Sequence, residues 1–303
     1  MGRKPALVVA LALTASAAAA HDGAHEEVSV FAPLWTFDPW VVVPLLVSAT
    51  LYLGGTLRLW FHAGVGRGIR IWQAAAFWTG WLLLAVATVS PLHWLGERLF
   101  VAHMIEHEII MVLAAPLIAA ARPLGAFLWA LPQDWRAALG RGARSGAMAA
   151  SWRVLTDPLV ATVLHALALW AWHMPLLYNA VLVSPAMHRL QHASFLVTAL
   201  LFWWTLLYGR ARRRGYGIAV LYIFATMLHS AALGILLTLS PRVWYPEQGA
   251  FAALCGLTPL EDQQLAGLVM WVPAGLIYTV IALVLAGRWI AAADGGAMRM
   301  KRV

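Results

Sequence analysis

Charge is what this sequence has least of. Asp, Glu, Lys and Arg together make 11% of its 303 residues, whereas soluble domains carry about 25%. A soluble surface cannot be built from so few charges. With 62% hydrophobic residues and a mean hydropathy of +0.75, the chain reads as a membrane protein. Cysteine is nearly missing too. A single thiol, Cys255, excludes an internal disulfide framework and any CxxC redox or zinc motif. Internal repeats and low-complexity segments are also lacking. The 21 Lys and Arg outnumber the 13 Asp and Glu, but the excess sits in short loops between apolar runs. That is orientation bias rather than a phosphate-binding stripe, and nucleic acid is not an expected partner.

Long apolar runs are what the sequence has in abundance. Residues 1–20 read as a signal peptide, with Arg3 and Lys4 at the charged end, Ala6–Ala15 as the apolar region and Ala18-Ala19-Ala20 as the cleavage pattern. An extracytoplasmic tail would follow at 21–39, a membrane domain at 40–290 and a cytoplasmic tail at 291–303. Seven runs in the membrane domain are long enough to cross: 40–61, 71–90, 99–121, 158–179, 185–208, 218–239 and 264–288. Runs of this length suit helices rather than barrel strands, so the expected fold is all-α, a polytopic bundle of seven transmembrane helices surrounded by lipid. Arg67 and Arg70, Arg136, Arg141 and Arg144, Arg210 and Arg212 to Arg214, and Arg299, Lys301 and Arg302 fall in alternate loops and the tail. The positive-inside rule then puts the mature N-terminus outside and the C-terminus inside, in a bacterial plasma membrane.

Seven of the 11 histidines fall at one depth of this arrangement, at or near the outer leaflet: His93, His103, His107, His173, His188, His192 and His229. Imidazoles buried in a bilayer mark metals, cofactors or proton paths. His103/His107 and His188/His192 sit four apart, on one helix face. At 100° per residue, His103, Glu106, His107 and Met111 share an arc of about 140°, and Glu108 points elsewhere. The candidate metal ligands are therefore His103, His107, His173, His188, His192 and His229. Met104, Glu106, Met111, Met227 and Asp262 are secondary candidates, as ligands or supports. His21 and His25, in the mature N-terminal tail, form a separate candidate for Cu(II). Imidazole with thioether and carboxylate suits copper, and the thioethers favour Cu(I). His165 reads as a packing residue, His62 as a solvated one, and Cys255 as an inert thiol.

Several segments, taken together and in order, resemble one family. They are His103-Met104-x-x-His107 with Met111-x-x-Ala114-Ala115-Pro116-Leu117; Trp172-His173-x-Pro175-x-x-Tyr178; His188-x-x-x-His192; Met227-x-His229; Tyr245-Pro246; and Pro259-Leu260-x-Asp262-Gln263-Gln264 ending in Met270-Trp271. The chain is similar over about two-thirds of its length to the multi-spanning, CtaG-like assembly factors of caa-type cytochrome c oxidases. The resemblance implies a non-enzymatic role in producing active oxidase, thought to concern copper delivery, with oxidase subunits and other copper chaperones as partners. Glu106 departs from it, since a neutral Gln is expected there. Two alternatives stand beside this reading: a haem- or quinone-binding membrane oxidoreductase using the inward-facing His pairs, and a copper transporter. The transporter would need polar residues through the whole span, and the inner half offers His165 and little else.

Overall fold

The computed structural model describes residues 34–209 and 216–300. The expected signal peptide, most of the 21–39 tail with His21 and His25, and residues 301–303 lie outside the described residues. The fold is all-helical, and no strand occurs among the described residues. Helices α1 (Pro39–Ala63), α2 (Ile71–Val89), α4 (Phe100–Ala121), α10 (Pro185–Tyr208), α11 (Tyr216–Leu239) and α12 (Pro259–Met300) are each long and apolar enough to cross a membrane. The shorter helices are α3 (Pro91–Gly96), α5 (Pro123–Ala130), α6 (Gln133–Ala143), α7 (Gly146–Leu155), α8 (Pro158–Trp172) and α9 (Pro175–Val183). Side chains such as Leu46, Leu57, Leu82, Val197, Leu221, Leu276 and Leu283 are exposed on the long helices. Such an apolar outer surface fits a bilayer, not water.

The fourth expected crossing, 158–179, is broken. Helix α8 stops at Trp172, because Pro175 lacks an N–H and its ring drives Met174 into an extended conformation (φ −68°, ψ 132°). Its 15 residues cover about 22 Å, short of a hydrocarbon core of about 30 Å. Helix α7 meets it at 65°, and the bent pair passes the same test of length and hydropathy only as a unit, giving six crossings or seven. The break places His173 at the C-terminal end of α8, and the chain turns away into α9.

Small residues set the close approaches. A Cβ on Gly267 would lie 2.6 Å from the Gly234 carbonyl oxygen, and one on Gly234 would lie 2.9 Å from that of Gly267, so α11 and α12 touch backbone to backbone. After Arg122, whose φ of 56° is left-handed, α5 doubles back onto α1. It fits because Gly55 presents no side chain to the Ala126 carbonyl.

Helix α4 carries the first HxxxH pair, and its start is fixed from a distance. Leu99 has no side chain able to cap it. Instead Asp262, in the first turn of α12, accepts from the backbone N–H of Phe100 at 2.8 Å and of Val101 at 2.9 Å. A carboxylate on a helix N-terminus satisfies two orphan donors and opposes the positive end of the helix dipole. Directly after Glu108 the helix widens into a π-turn, Ile109–Ala114, a device that often accompanies functional sites. Asp262→Ala is expected to lower stability by about 2 kcal/mol, with Asp262→Asn closer to half that. Thermal unfolding of the detergent-solubilised protein measures both, and equal stability of all three proteins would remove the cap from the account.

Candidate metal centre

The two HxxxH pairs enter at matching heights. His103 and His107 lie three and seven residues beyond Phe100, the first residue of α4; His188 and His192 lie three and seven beyond Pro185, the first of α10. At 1.5 Å per residue each pair sits about 5 and 10 Å along its helix. Ser184 starts α10 by accepting from the Met187 N–H at 3.4 Å, and Pro185 takes the first helical position.

The four rings pack against one another. Centroids are 4.3 Å apart for His103 and His107, 4.5 Å for His188 and His192, 5.3 Å for His103 and His188, and 5.3 Å for His107 and His192. His103, Glu106, His188 and His192 each offer one ligand atom within 4.8 Å of the others. An ion with bonds of about 2 Å needs its tetrahedral ligands roughly 3.3 Å apart, so modest side-chain rotation closes the set. Neither ring nitrogen of His103 or His107 makes a well-formed hydrogen bond, nor do Nε2 of His188, Nε2 of His192 or Oε2 of Glu106, and all these atoms are sequestered. Buried polar groups are almost always satisfied, at a cost of about 1–3 kcal/mol each when they are not. Imidazole nitrogens and a carboxylate oxygen gathered in this way form a donor set of the kind a metal ion takes.

Glu106 is fully buried and pairs through Oε1 with His93 Nδ1 at 2.9 Å; its other oxygen is 3.8 Å from His103 Nδ1. Room for the carboxylate comes from α3, where a side chain on Gly96 would collide with it. The Gly96 carbonyl in turn accepts from the Gln248 amide at 2.8 Å, which ties α3 to the 3-10 turn Gln248–Cys255. His93 stacks on His188 with centroids 5.0 Å apart and lies 5.7 Å from His192. Burial disfavours charge on His93, but the hydrogen bond and charge of Glu106, with Glu97 and Asp38 farther off, outweigh it, and its pKa moves upward. His93 is in the expected histidine layer but not among the expected ligands, and the structure brings it to the cluster. Ser90-Pro91 was the signal: Ser90 caps α3 by accepting from the Leu92 N–H at 3.2 Å, and the short helix turns His93 inward.

His173 occupies the far side of His107, with ring centroids 6.2 Å apart. Its Nδ1–H donates to the Leu169 carbonyl at 2.7 Å, which leaves Nε2 with a free electron pair, 3.5 Å from Met104 Sδ. The Tyr245 hydroxyl donates to the His173 carbonyl at 2.5 Å and holds the turn in place. Two electron-pair donors at that separation suit one soft ion, since tetrahedral bonds of about 2.0 and 2.3 Å put them roughly 3.5 Å apart.

Other sequence candidates are placed elsewhere. Asp262 spends both oxygens on the start of α4. Met111 is buried in the apolar core, and its carbonyl accepts from the Trp203 indole at 2.9 Å. Met227 Sδ lies 3.5 Å from the Thr279 hydroxyl, which donates to the Gly275 carbonyl at 2.7 Å. His229 makes no ring contact with the cluster; it lies within electrostatic reach of His165, which bonds Thr198 at 3.2 Å and stacks on Phe202. Cys255 is half-buried, and burial with the nearby Asp262 charge pushes its thiol up, away from the reactive thiolate.

A family model for the cytochrome c oxidase caa3 assembly factor (Caa3_CtaG) matches residues 50–292. The chain belongs to that family. The match takes in α2 to α11, just over half of α1 and most of α12, and so every residue of the cluster. Neither the curated proteins nor the solved structures contain a significant match. The assembly factor's buried carboxylate depends on the bare α-carbon beside it. Gly96→Ala is expected to destabilise the protein by about 1–3 kcal/mol through overpacking, and by clearly less in a Glu106→Ala background. A double-mutant cycle on thermal unfolding checks this, and strictly additive effects would show that the two positions do not touch.

Proposed function

We propose that this multi-pass assembly factor handles Cu(I) for the oxidase active site, as a non-enzymatic carrier in the bacterial plasma membrane. The observation that carries the reading is the convergence of unsatisfied imidazole nitrogens from α4 and α10 around one carboxylate. Each of these nitrogens is a buried electron-pair donor with no hydrogen-bond partner among the described residues. Charge supports a monovalent cargo. Glu106 is the one carboxylate among the inner ligands, so Cu(I) makes a neutral centre, while a divalent ion leaves a net positive charge buried at high cost. Met104 and His173 add a soft nitrogen–sulfur pair beside His107, which suits the same oxidation state.

The haem reading is disfavoured by the packing. Rings 4.3 to 5.8 Å apart leave no room between α4 and α10 for a macrocycle. Neighbouring copper chaperones would supply the ion, and an oxidase subunit would receive it. In that subunit the copper of the active site is also buried near the outer side of the membrane, so transfer at matched depth would keep the ion from water.

Two expected outcomes follow. His103→Ala with His107→Ala, at equal expression and normal insertion, leaves an oxidase that contains haem but too little active-site copper, and copper added to the medium partly restores it. Copper-replete oxidase in that strain, or loss of the haem subunit as well, would replace the carrier reading with a scaffold. The purified protein loaded with Cu(I) shows nitrogen scatterers near 2 Å by X-ray absorption, with a sulfur contribution that disappears in Met104→Leu. Sulfur retained in that variant removes Met104 from the ligand set.

A further inference from the structure

A second group of ligands stands above the first and shares one residue with it. His93, Glu97 and His188 each offer a ligand atom within 4.8 Å of the others. The lower set is His103, Glu106, His188 and His192, so His188 belongs to both. The burial differs in the direction a route would require. His103 and Glu106 are 1% and 0% exposed, while the Glu97 side chain is 43% exposed. Both sets also reach one cavity. A cleft of about 960 Å³ runs between α1, α2, α4, α5 and α10, and His93, Glu97, His188 and His192 line its histidine end. Leu190 and Val197 line it too and are half exposed on the outer surface of α10, so the cleft opens sideways, towards lipid.

We infer that His93, Glu97 and His188 form an outer docking station, through which the metal ion reaches and leaves the buried set by ligand exchange at His188. The inference rests on the copper reading above and adds a site and a route to it. In the exchange the His188–metal bond is kept. The Glu97 carboxylate and the His93 imidazole let go, the Glu106 carboxylate and the imidazoles of His103 and His192 take their places, and the ion keeps its oxidation state throughout. Each station supplies one carboxylate, Glu97 outside and Glu106 inside, so a monovalent ion is neutralised at both ends of the step. Among the described residues the Glu97 carboxylate pairs with Arg98 alone, at 3.3 Å and with both side chains partly exposed. Exposed pairs of this kind are worth little, which leaves the carboxylate free to swing to an ion. Arg98 is secured without it, over the Trp94 ring at 4.2 Å and on the Trp94 carbonyl at 2.8 Å.

The test is the rate at which the detergent-purified full chain takes Cu(I) from a coloured bathocuproine complex, and returns it, followed by stopped-flow absorbance. Glu97→Gln is expected to slow uptake and release alike by about tenfold, in line with the loss of one supporting metal contact, and to leave the equilibrium affinity unchanged. Arg98→Ala, which removes the competing partner, should not slow either. Unchanged rates in Glu97→Gln overturn the outer station while leaving the copper site standing. Slowing of the same size in Arg98→Ala overturns it as well, because the effect would then be local disorder. Failure of the unsubstituted protein to bind Cu(I) under reducing conditions overturns both this inference and the reading beneath it.

Discussion

The carboxylate of Asp262 on the first two amides of α4 sets the height of everything that follows. An HxxxH pair can meet another only if the two helices begin at the same level and present the right faces. Helix α10 has its own start signal in Ser184 and Pro185. Helix α4 begins at Phe100 behind an apolar Leu99, with nothing local to define its first turn. The bond from α12 supplies the missing cap and ties the last long helix to the histidine helix, so that rotation or slippage of α4 would break two charge-assisted hydrogen bonds. With that level fixed, His103 and His107 face His188 and His192 three and seven residues into their helices.

The cluster itself opposes stability. Unsatisfied imidazole nitrogens and a carboxylate oxygen, sequestered among Phe100, Tyr178 and Phe195, cost free energy that only packing elsewhere offsets. The offset comes from the apolar layer beneath, where Ile110, Phe195, Ala199, Phe202 and Trp203 are buried together, and from the glycine-mediated contact of α11 with α12. Functional sites are where local rules of satisfaction are expected to fail, and the proposed metal site accounts for a cost retained at this spot. The π-turn that begins just after Glu108 belongs to the same pattern.

Much of this was legible in the sequence, and the rest was hidden for identifiable reasons. Hydropathy found the long helices, and a spacing of four residues put each histidine pair on one face, because both signals depend only on residues close in the chain. The family resemblance was equally local. What distance along the chain conceals is partnership. Asp262 is 162 residues from Phe100, so its motif could suggest a ligand but not a helix cap. His229 shares the expected depth with the others yet faces another part of the bundle, since depth follows from position along a span and direction from packing. His93 has no second histidine at helical spacing, and the inward turn of α3 makes it part of the site. The break at Pro175 could be read as a helix end, but the length criterion carried the expected span past it.

Glu106 shows how a carboxylate is accommodated at this depth. Placed four residues from neither histidine, it still shares their arc, and its charge at this depth would be prohibitive without local provision. That provision comes from two residues of one short helix. His93 brings a proton-bearing nitrogen to one oxygen, and Gly96 leaves the space the other oxygen fills. A neutral amide of the same length would need the same space beside Gly96 but not the His93 proton, since it can supply its own donor to a neighbouring acceptor. The His93 contact is thus the provision that answers to the charge. A carboxylate built in beside four imidazoles changes the site from one that must hold a cation's full charge in a low dielectric to one in which a single positive charge is cancelled. The same arithmetic makes each further charge costly, which supports the proposed monovalent cargo over a divalent one.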